Sequence, residues 1–555
     1  MESKTASTIE KAYREAVSDF TTDCGIPVKE IYTHEDVQEI NPERDIGLAG
    51  SYPFTRGPHP LMYRGKLWNI RQITGLSTPK RFNERLKFEI KEGATALDYH
   101  IDGTGSYGLE PDQPTAEGQV GVCGVASSTV DDVTTAVDGL PLDELSLCLV
   151  QPFPTLTQAY LVAARRRGYQ EHKLRIVHPV FSLWYSMCHR SYQEDLYVKD
   201  GLSTLGKWSY DFCEYALKHL PKCSFWYFDG PSVMDGGGNA IHEMAFILAA
   251  RNELIREMLK RGFDIDTIGE RLSPTVGLGS DFFENIAKVR ALRRLWARTM
   301  KEQFGATSPA AMSLRVHVNV LGGIMTQQQP LVNIARGAIG ALSGVLAGCQ
   351  GIQLACYDET FATPTEDGVK LAIRTQQVIR YESGVARVID PLGGSYYIEW
   401  LTSTIEKRVE EMLTKIEGMG GWMAALQSGW VHKELDQGTV ATQSREKDGD
   451  RLVVGVNCFR IPPEEDFRPP AFAPDDTDIE AYIADFQAFK SRRDNKKVKK
   501  SLENLSEAAR QEKVNLVPSV FNALEAEATF PEIIGVMRMN DGLQYDWAGE
   551  RDFPF

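Results

Sequence analysis

Residues 314–320 read Leu-Arg-Val-His-Val-Asn-Val. Leu314, Val316, Val318 and Val320 alternate with Arg315, His317 and Asn319, the period-two pattern of a β-strand with one apolar and one polar face. Amphipathic helical patterns surround this stretch: NAIHEMAFILAARNELIREMLKRG (239–262) and FFENIAKVRALRRLWARTMKEQFG (282–305) before it, VKLAIRTQQVIRYESG (369–384) after it. Several of them close on basic residues followed by glycine, as helix C-termini do. Further strand candidates are ALDYHI (96–101), LSLCLV (145–150), KLRIVHPVF (173–181), CSFWYFD (223–229), TVGLG (275–279), IQLACYD (352–358) and ARVID (386–390). Eight strands joined by helical crossovers predict an α/β fold, a (β/α)8 TIM barrel rather than an open doubly wound sheet. Residues 1–45 are polar, broken by Pro27 and Pro42, and read as an N-terminal arm. Residues 46–400 form the barrel domain, and 401–555 a C-terminal helical region expected to wrap it.

The polar strand faces are unusual for that fold. Barrel strands normally meet helices on one side and packed branched side chains on the other. Here Asp98, His100 and Asp102 alternate with Leu97, Tyr99 and Ile101, and Gln353 sits between Ile352 and Leu354. A packed interior does not tolerate such groups unpaired. A hollow, polar-lined barrel that admits a long ligand does. The competing reading places them at strand ends around an ordinary active site.

Composition narrows the function classes. The 555 residues carry 61 basic and 76 acidic side chains, a net charge of −15, which argues against a general nucleic-acid or membrane-surface binder. Nine cysteines without a CxxC pair or a Cys/His cluster make a disulfide or metal framework unexpected. The polar N-terminus and the lack of a ~20-residue apolar run point to a soluble, cytoplasmic protein. GTGSYG (103–108) matches the dinucleotide fingerprint, but the two prolines that follow cannot open the required helix. There is no P-loop, GxSxG or HExxH. Gly236–Gly238 reads as a flexible loop, with a close-approach loop as the alternative, and the basic run SRRDNKKVKK (491–500) as a solvated helix face.

Two longer segments are more specific: YPFTRGPHPLMYRGKLWNIRQITGLST (52–78) and FATPTEDGVKLAIRTQQVIRYESGVARVIDPLGGSYYIEWLT (361–402). With the RLS of 271–273, the helical segment DFFENIAKVRALRRLWA (281–297) and the charged tail, they resemble the substrate-binding subunit of the methylmalonyl-CoA mutase family from about residue 45 onward. The resemblance implies adenosylcobalamin-dependent acyl-CoA mutase chemistry on a TIM barrel split along its axis by coenzyme A. The family's cobalamin module carries DxHxxG, and this sequence has no such motif. The resemblance therefore implies a separate small subunit that brings the cofactor, and a homodimer or two-plus-two assembly.

Carried over residue by residue, the resemblance assigns the CoA chain to His59, Leu61, Met62, Lys66, Asn69, Arg71, Arg271, Ser273 and Asn319. Cations there suit a phosphate and a pyrophosphate. Ile73 stands where methylmalonyl enzymes have tyrosine and the 2-hydroxyisobutyryl branch has isoleucine. His100 stands where that branch has aspartate. The family's Gly-Tyr-His after the fourth strand is Gly230-Pro231-Ser232 here, so its carbonyl-binding histidine is missing. His317 is retained, and the glutamine two residues on is Asn319. A tryptophan over the corrin has become Gly323. Glu359 matches a glutamate beside the cofactor, and Asp235 and Gly322 complete the cofactor-facing set. The expected catalytic set is His100, His317, Ser232 and Ile73, with no metal ligands. With Ile73 and no carboxylate clamp, the substrate is expected to be a small non-dicarboxylic acyl-CoA, plain or hydroxylated. Two alternatives stand beside this mutase: a cobalamin-independent acyl-thioester enzyme (decarboxylase, dehydratase or lyase, using His100, His178 or His317) and a catalytically inactive mutase-like subunit.

Overall fold

The computed structural model describes residues 20–180, 187, 197–198 and 201–554. The first 19 residues of the expected arm, and Phe181 at the end of one expected strand, lie outside them. The chain forms two compact units. One comprises residues up to Ile70, Asp229–Arg256 and Asp264–Ala471; the other comprises Arg71–Phe228, Glu257–Phe263 and Phe472–Phe555.

The strands are β1 (Asn69–Arg71), β2 (Ala96–His100), β3 (Ser146–Val150), β4 (Arg175–Pro179), a short pair β5 (Tyr197–Val198) and β6 (Gly201–Leu202), β7 (Ser224–Asp229), β8 (Leu272–Leu278), β9 (His317–Val320) and β10 (Gly351–Leu354). The sheet order β1-β10-β9-β8-β7-β4-β3-β2 is that of a (β/α)8 TIM barrel, and every pairing resolved between its strands is parallel.

In the first unit, β8, β9 and β10 pair in register, with Thr275 and Gly351 opposite His317, and Gly277 and Gln353 opposite Asn319. Their apolar residues meet the glycine-rich helix Val332–Leu346. A Cβ at Gly340 would lie 2.7 Å from Val320, at Gly344 2.9 Å from Leu278 and 3.0 Å from Val318, and at Gly337 3.0 Å from Leu354. Strand geometry then turns Thr275, His317, Asn319 and Gln353 to the opposite face, away from that helix. In the second unit, Tyr99 packs on Phe82 of the helix Pro79–Glu92, ring centroids 4.7 Å apart, and Leu97 is buried with it. Asp98 and His100 take the other face, opposite Cys148 and Val150 of β3. The polar-faced strands are thus present in both units.

Four expectations need correction. ARVID is not a strand: Val385–Arg387 makes a 3-10 turn, because Gly384 (φ 75°) and Asp390 (φ 46°) break the extended run on either side. The eighth barrel strand is β1, whose three residues are too few to show an alternation. The ladder of LRVHVNV begins only at His317, since Val316 N–H is taken by the Gln350 side chain at 2.8 Å. The glycine triplet marks close approach instead of flexibility. Gly237 has φ 98°, and a Cβ there would stand 2.1 Å from Thr439 Oγ1 on the helix Trp430–Asp448.

After residue 395, the helices Tyr396–Gly418, Trp422–Gln427 and Trp430–Asp448 belong to the first unit, and Asp476–Arg492, Asn495–Ala509, Val517–Glu525 and Phe530–Asn540 to the second. Most of the basic run behaves as expected: Val498, Leu502 and Leu505 are buried while Lys496, Lys497, Lys499 and Lys500 face solvent, but Arg493 is buried and paired with Glu532. Among the described residues no helix is long and apolar enough to cross a membrane.

Candidate active site

In the first unit the two ends of the strands carry opposite electrostatics. Cations gather at the N-terminal ends. His59 is held below the ordinary histidine range by burial, then by Arg315, Arg293 and Lys66. Arg315 is itself lowered by burial and by the neighbouring Arg271, although it donates to Glu270 O at 2.9 Å. Arg293 is fully buried and donates to the Ala347 and Gly348 carbonyls, both at 2.6 Å; burial pulls it down to about 10. Mutual depression of this kind marks a place where an anion is favoured.

Acids gather at the C-terminal ends. Asp229 closes β7 and caps the short helix Gly230–Asp235, accepting from Ser232 N–H at 3.2 Å and, in a very short bond, from Ser232 Oγ. Burial raises it to about 7; the Ser232 bonds oppose that shift, and Asp235 and Glu243 add to it. Asp235 opens to solvent and takes a bond from Gly323 N–H, yet the surrounding protein pushes it to about 6. Glu359 accepts from Cys356 N–H at 3.1 Å and is raised to about 7 by burial, with smaller contributions from Asp358 and Asp235. A Cβ at Gly323 would sit 2.4 Å from Asp235 Oδ1, so position 323 admits no side chain while Asp235 keeps this rotamer.

Between the two ends lies a hydrogen-bonding wall. Asn319 Oδ1 and Gln353 Oε1 are buried oxygens without a partner, and orphaned buried acceptors cost on the order of 1–3 kcal/mol each unless a ligand satisfies them. His317 is half-buried beside Gly351, where a Cβ would fall 2.5 Å from its Nδ1. The top of the wall is fixed by a fully buried ion pair. Lys288 Nζ lies 2.7 Å from Glu243 Oε2, while Glu243 Oε1 accepts from Gly277 N–H at 2.5 Å. Gly230 is needed here, because a Cβ would stand 2.3 Å from Glu243 Oε1.

The second unit holds Arg71, Ile73 and His100. Arg71 Nε lies 3.4 Å from Asp98 Oδ1, and burial lifts Asp98 to about 6 against the pull of that guanidinium. Ile73 is 42 % exposed, a large aliphatic side chain open to solvent. His100 Nδ1 lies 3.2 Å from Ile101 O, and burial lowers its pKa, so the ring is neutral near pH 7. His178 is fully buried, bound to Thr157 Oγ1 at 2.9 Å and lowered to about 3, which makes it a neutral core group.

His59, Lys66 and Arg271 are therefore brought to the cationic end, Ser273, His317 and Asn319 to the β8 and β9 strands above it, and Ser232, Asp235, Gly322, Gly323 and Glu359 to the acidic end. Asn69 lies on β1, near the position a Cβ at Gly351 would take. Met62 is buried, its thioether against Gly57. Asp98, Arg315, Arg293, Asp229 and the Glu243–Lys288 pair were missed as site residues. A signal existed for Asp229, the last residue of a strand at a barrel's C-terminal face. For Lys288, inside an amphipathic helix, there was none.

The TIM barrel thus carries orphaned polar groups on its strand faces, cations at one end and acids at the other. Comparison with known proteins gives the class. The chain matches the methylmalonyl-CoA mutase family over residues 21–543. It is 36% identical over 537 residues to the 2-hydroxyisobutanoyl-CoA mutase large subunit of Aquincola tertiaricarbonis, covering 96% of this chain and 93% of that one. It is 31% identical to the methylmalonyl-CoA mutase of Rhizobium meliloti (strain 1021), covering 93% and 71%, and 32% identical to the human mitochondrial methylmalonyl-CoA mutase, covering 93% and 67%. The chain belongs to the methylmalonyl-CoA mutase family and is an isomerase of the acyl-CoA mutase type. That family generally uses adenosylcobalamin.

Proposed function

We propose that this chain is the large subunit of a cytoplasmic, two-component acyl-CoA mutase, which moves the thioester carbonyl between adjacent carbons of a small, non-dicarboxylic acyl group, plain or hydroxylated. The observation that carries this reading is the wall of the first unit. Orphaned Asn319 and Gln353 oxygens lie between a cationic end and an acidic end of the same strands. The seven residues of β8 span roughly 23 Å at ~3.3 Å each. That length suits a pantetheine arm with its phosphates on His59, Lys66, Arg271 and Arg315, and its amide N–H groups donate to Asn319 and Gln353. Arg71 and Asn69 complete the CoA set.

Ile73 offers aliphatic surface to the acyl chain in place of a charged clamp. His317 and the neutral His100 hydrogen-bond the migrating carbonyl or a substrate hydroxyl, with Ser232 as a further donor. The residues present also fit adenosylcobalamin. The carboxyls of Asp235 and Glu359, both raised by burial, suit ribose hydroxyls, and Gly322 and Gly323 leave that end without side-chain bulk. When bound, that cofactor supplies the radical that takes hydrogen from the acyl group. It is brought by a small subunit, the kind of partner that the name of the Aquincola relative's large subunit implies.

Calorimetry with CoA and isobutyryl-CoA tests the first half, and cobalt–carbon homolysis spectra with adenosylcobalamin and a DxHxxG-bearing small subunit test the second. CoA-ester binding without homolysis with any partner would favour a cobalamin-independent acyl-thioester enzyme. No CoA binding at all would remove the reading.

A further inference from the structure

The loop after β7 places Ser232 three residues beyond Asp229, the last residue of that strand. The two side chains share one short hydrogen bond between Ser232 Oγ and Asp229 Oδ2. Ser232 is half-exposed at the C-terminal end of the barrel, whereas Asp229 is 8 % exposed. A serine hydroxyl has one proton to give. If Asp229 is ionised, it can only accept, and Ser232 must spend its proton on it. If Asp229 carries a proton, that O–H donates to Ser232 Oγ and the serine O–H is released.

We propose that Asp229 is the positioning residue that sets Ser232: protonated, it frees the serine O–H to donate to the substrate's thioester oxygen; ionised, it withdraws that donor. This rests on the acyl-CoA reading above.

The surroundings favour the protonated form. The charges bearing on Asp229 are Asp235 from its own helix and Glu243 from the helix Ala240–Lys260, both negative, with Glu359 beyond Asp235. Glu243 is itself paired with Lys288 from the helix Phe282–Glu302, at 2.7 Å. From β8 the neighbours are neutral: Thr275 O crowds Gly230, and Gly277 N–H is bound to Glu243. Among the described residues Ser232 N–H, at 3.2 Å, is the one backbone donor to Asp229, less than the two or three that hold a buried carboxylate ionised.

The test reads the carbonyl itself. Isobutyryl-CoA labelled with ¹³C at the thioester carbon is bound to the full chain, and the bound C=O stretch is followed by isotope-edited infrared from about pH 6 to about pH 8.5, either side of the acid's raised range. A downshifted stretch at low pH that relaxes as pH rises is expected. Asp229→Asn carries an amide that does not titrate, so the stretch should no longer change with pH anywhere in the range. Ser232→Ala should abolish it at every pH while the variant still binds free CoA. A pH-independent stretch in the wild-type chain, an Asp229→Asn variant that keeps the wild-type titration, or a Ser232→Ala variant that keeps the downshift overturns the proposal. Should Asp229→Asn fail to fold, the wild-type titration and Ser232→Ala decide it. Failure of the wild-type chain to bind free CoA overturns the acyl-CoA reading and this one together, whereas CoA binding with a flat profile overturns only this one.

Discussion

Replacing Lys288 by methionine keeps most of the side chain's volume and removes its charge. In the structure Lys288 and Glu243 have no solvent exposure, lie 2.7 Å apart, and Glu243 Oε1 is also held by Gly277 N–H. Breaking such a buried pair costs about 3–5 kcal/mol when the remaining charge stays ionised. Glu243 has a cheaper escape, which is to bind a proton. From its ordinary value of 4.5, neutralisation costs about 3.4 kcal/mol at pH 7 and about 0.7 kcal/mol at pH 5, at 1.36 kcal/mol per unit. The lost hydrogen bond adds about 1 kcal/mol. Lys288→Met should therefore destabilise the chain by about 4 kcal/mol at pH 7 and about 2 kcal/mol at pH 5. The sign follows from linkage: a carboxyl whose folded pKa lies above its unfolded one loses stability as pH rises. Urea unfolding followed by tryptophan fluorescence at the two pH values measures both numbers. The double variant Glu243→Gln, Lys288→Met retains an acceptor for Gly277 N–H, so it should cost less than the single change and be flat in pH. A loss below about 1 kcal/mol at pH 7, or the same loss at both pH values, would refute the reasoning.

Arg315→Ala should weaken CoA binding by about 10-fold or more, the worth of one charge-assisted hydrogen bond, and reduce the salt dependence of calorimetric affinities; unchanged affinity and salt slope would remove Arg315 from the anion site. Gly351→Ala places a methyl 2.5 Å from His317 Nδ1 and must turn that ring, so isobutyryl-CoA binding should fall while the melting temperature changes little; wild-type binding would show that the ring's position is immaterial. Glu89 is fully buried, takes a short bond from Thr74 Oγ1 and is raised to about 8. Its folded pKa exceeds the unfolded one, so stability declines as pH climbs from about 4.5 to about 8. Glu89→Gln should gain stability at pH 8, on the order of 3 kcal/mol, and flatten that decline in urea titrations.

The alternation in LRVHVNV and ALDYHI was legible because strand periodicity is local: each residue's face follows from its neighbours'. The same local reasoning misled at ARVID, where Gly384 and Asp390 turn the backbone out of the extended region, and passed over β1, too short to carry a period. At the glycine triplet composition suggested looseness, but only packing against the helix Trp430–Asp448 reveals why no Cβ fits at Gly237.

The sequence by itself determined the family and the polar-faced strands, because motif identity and side-chain period are written in consecutive residues. Tertiary structure alone decided that Asp229 shares a hydrogen bond with Ser232, that Asp235 reaches Gly323, and that Lys288 neutralises Glu243. These depend on burial and on which charges meet across 45 residues or more of chain in the case of the ion pair. Desolvation, which sets every one of those protonation states, has no value until the fold has chosen what surrounds each group.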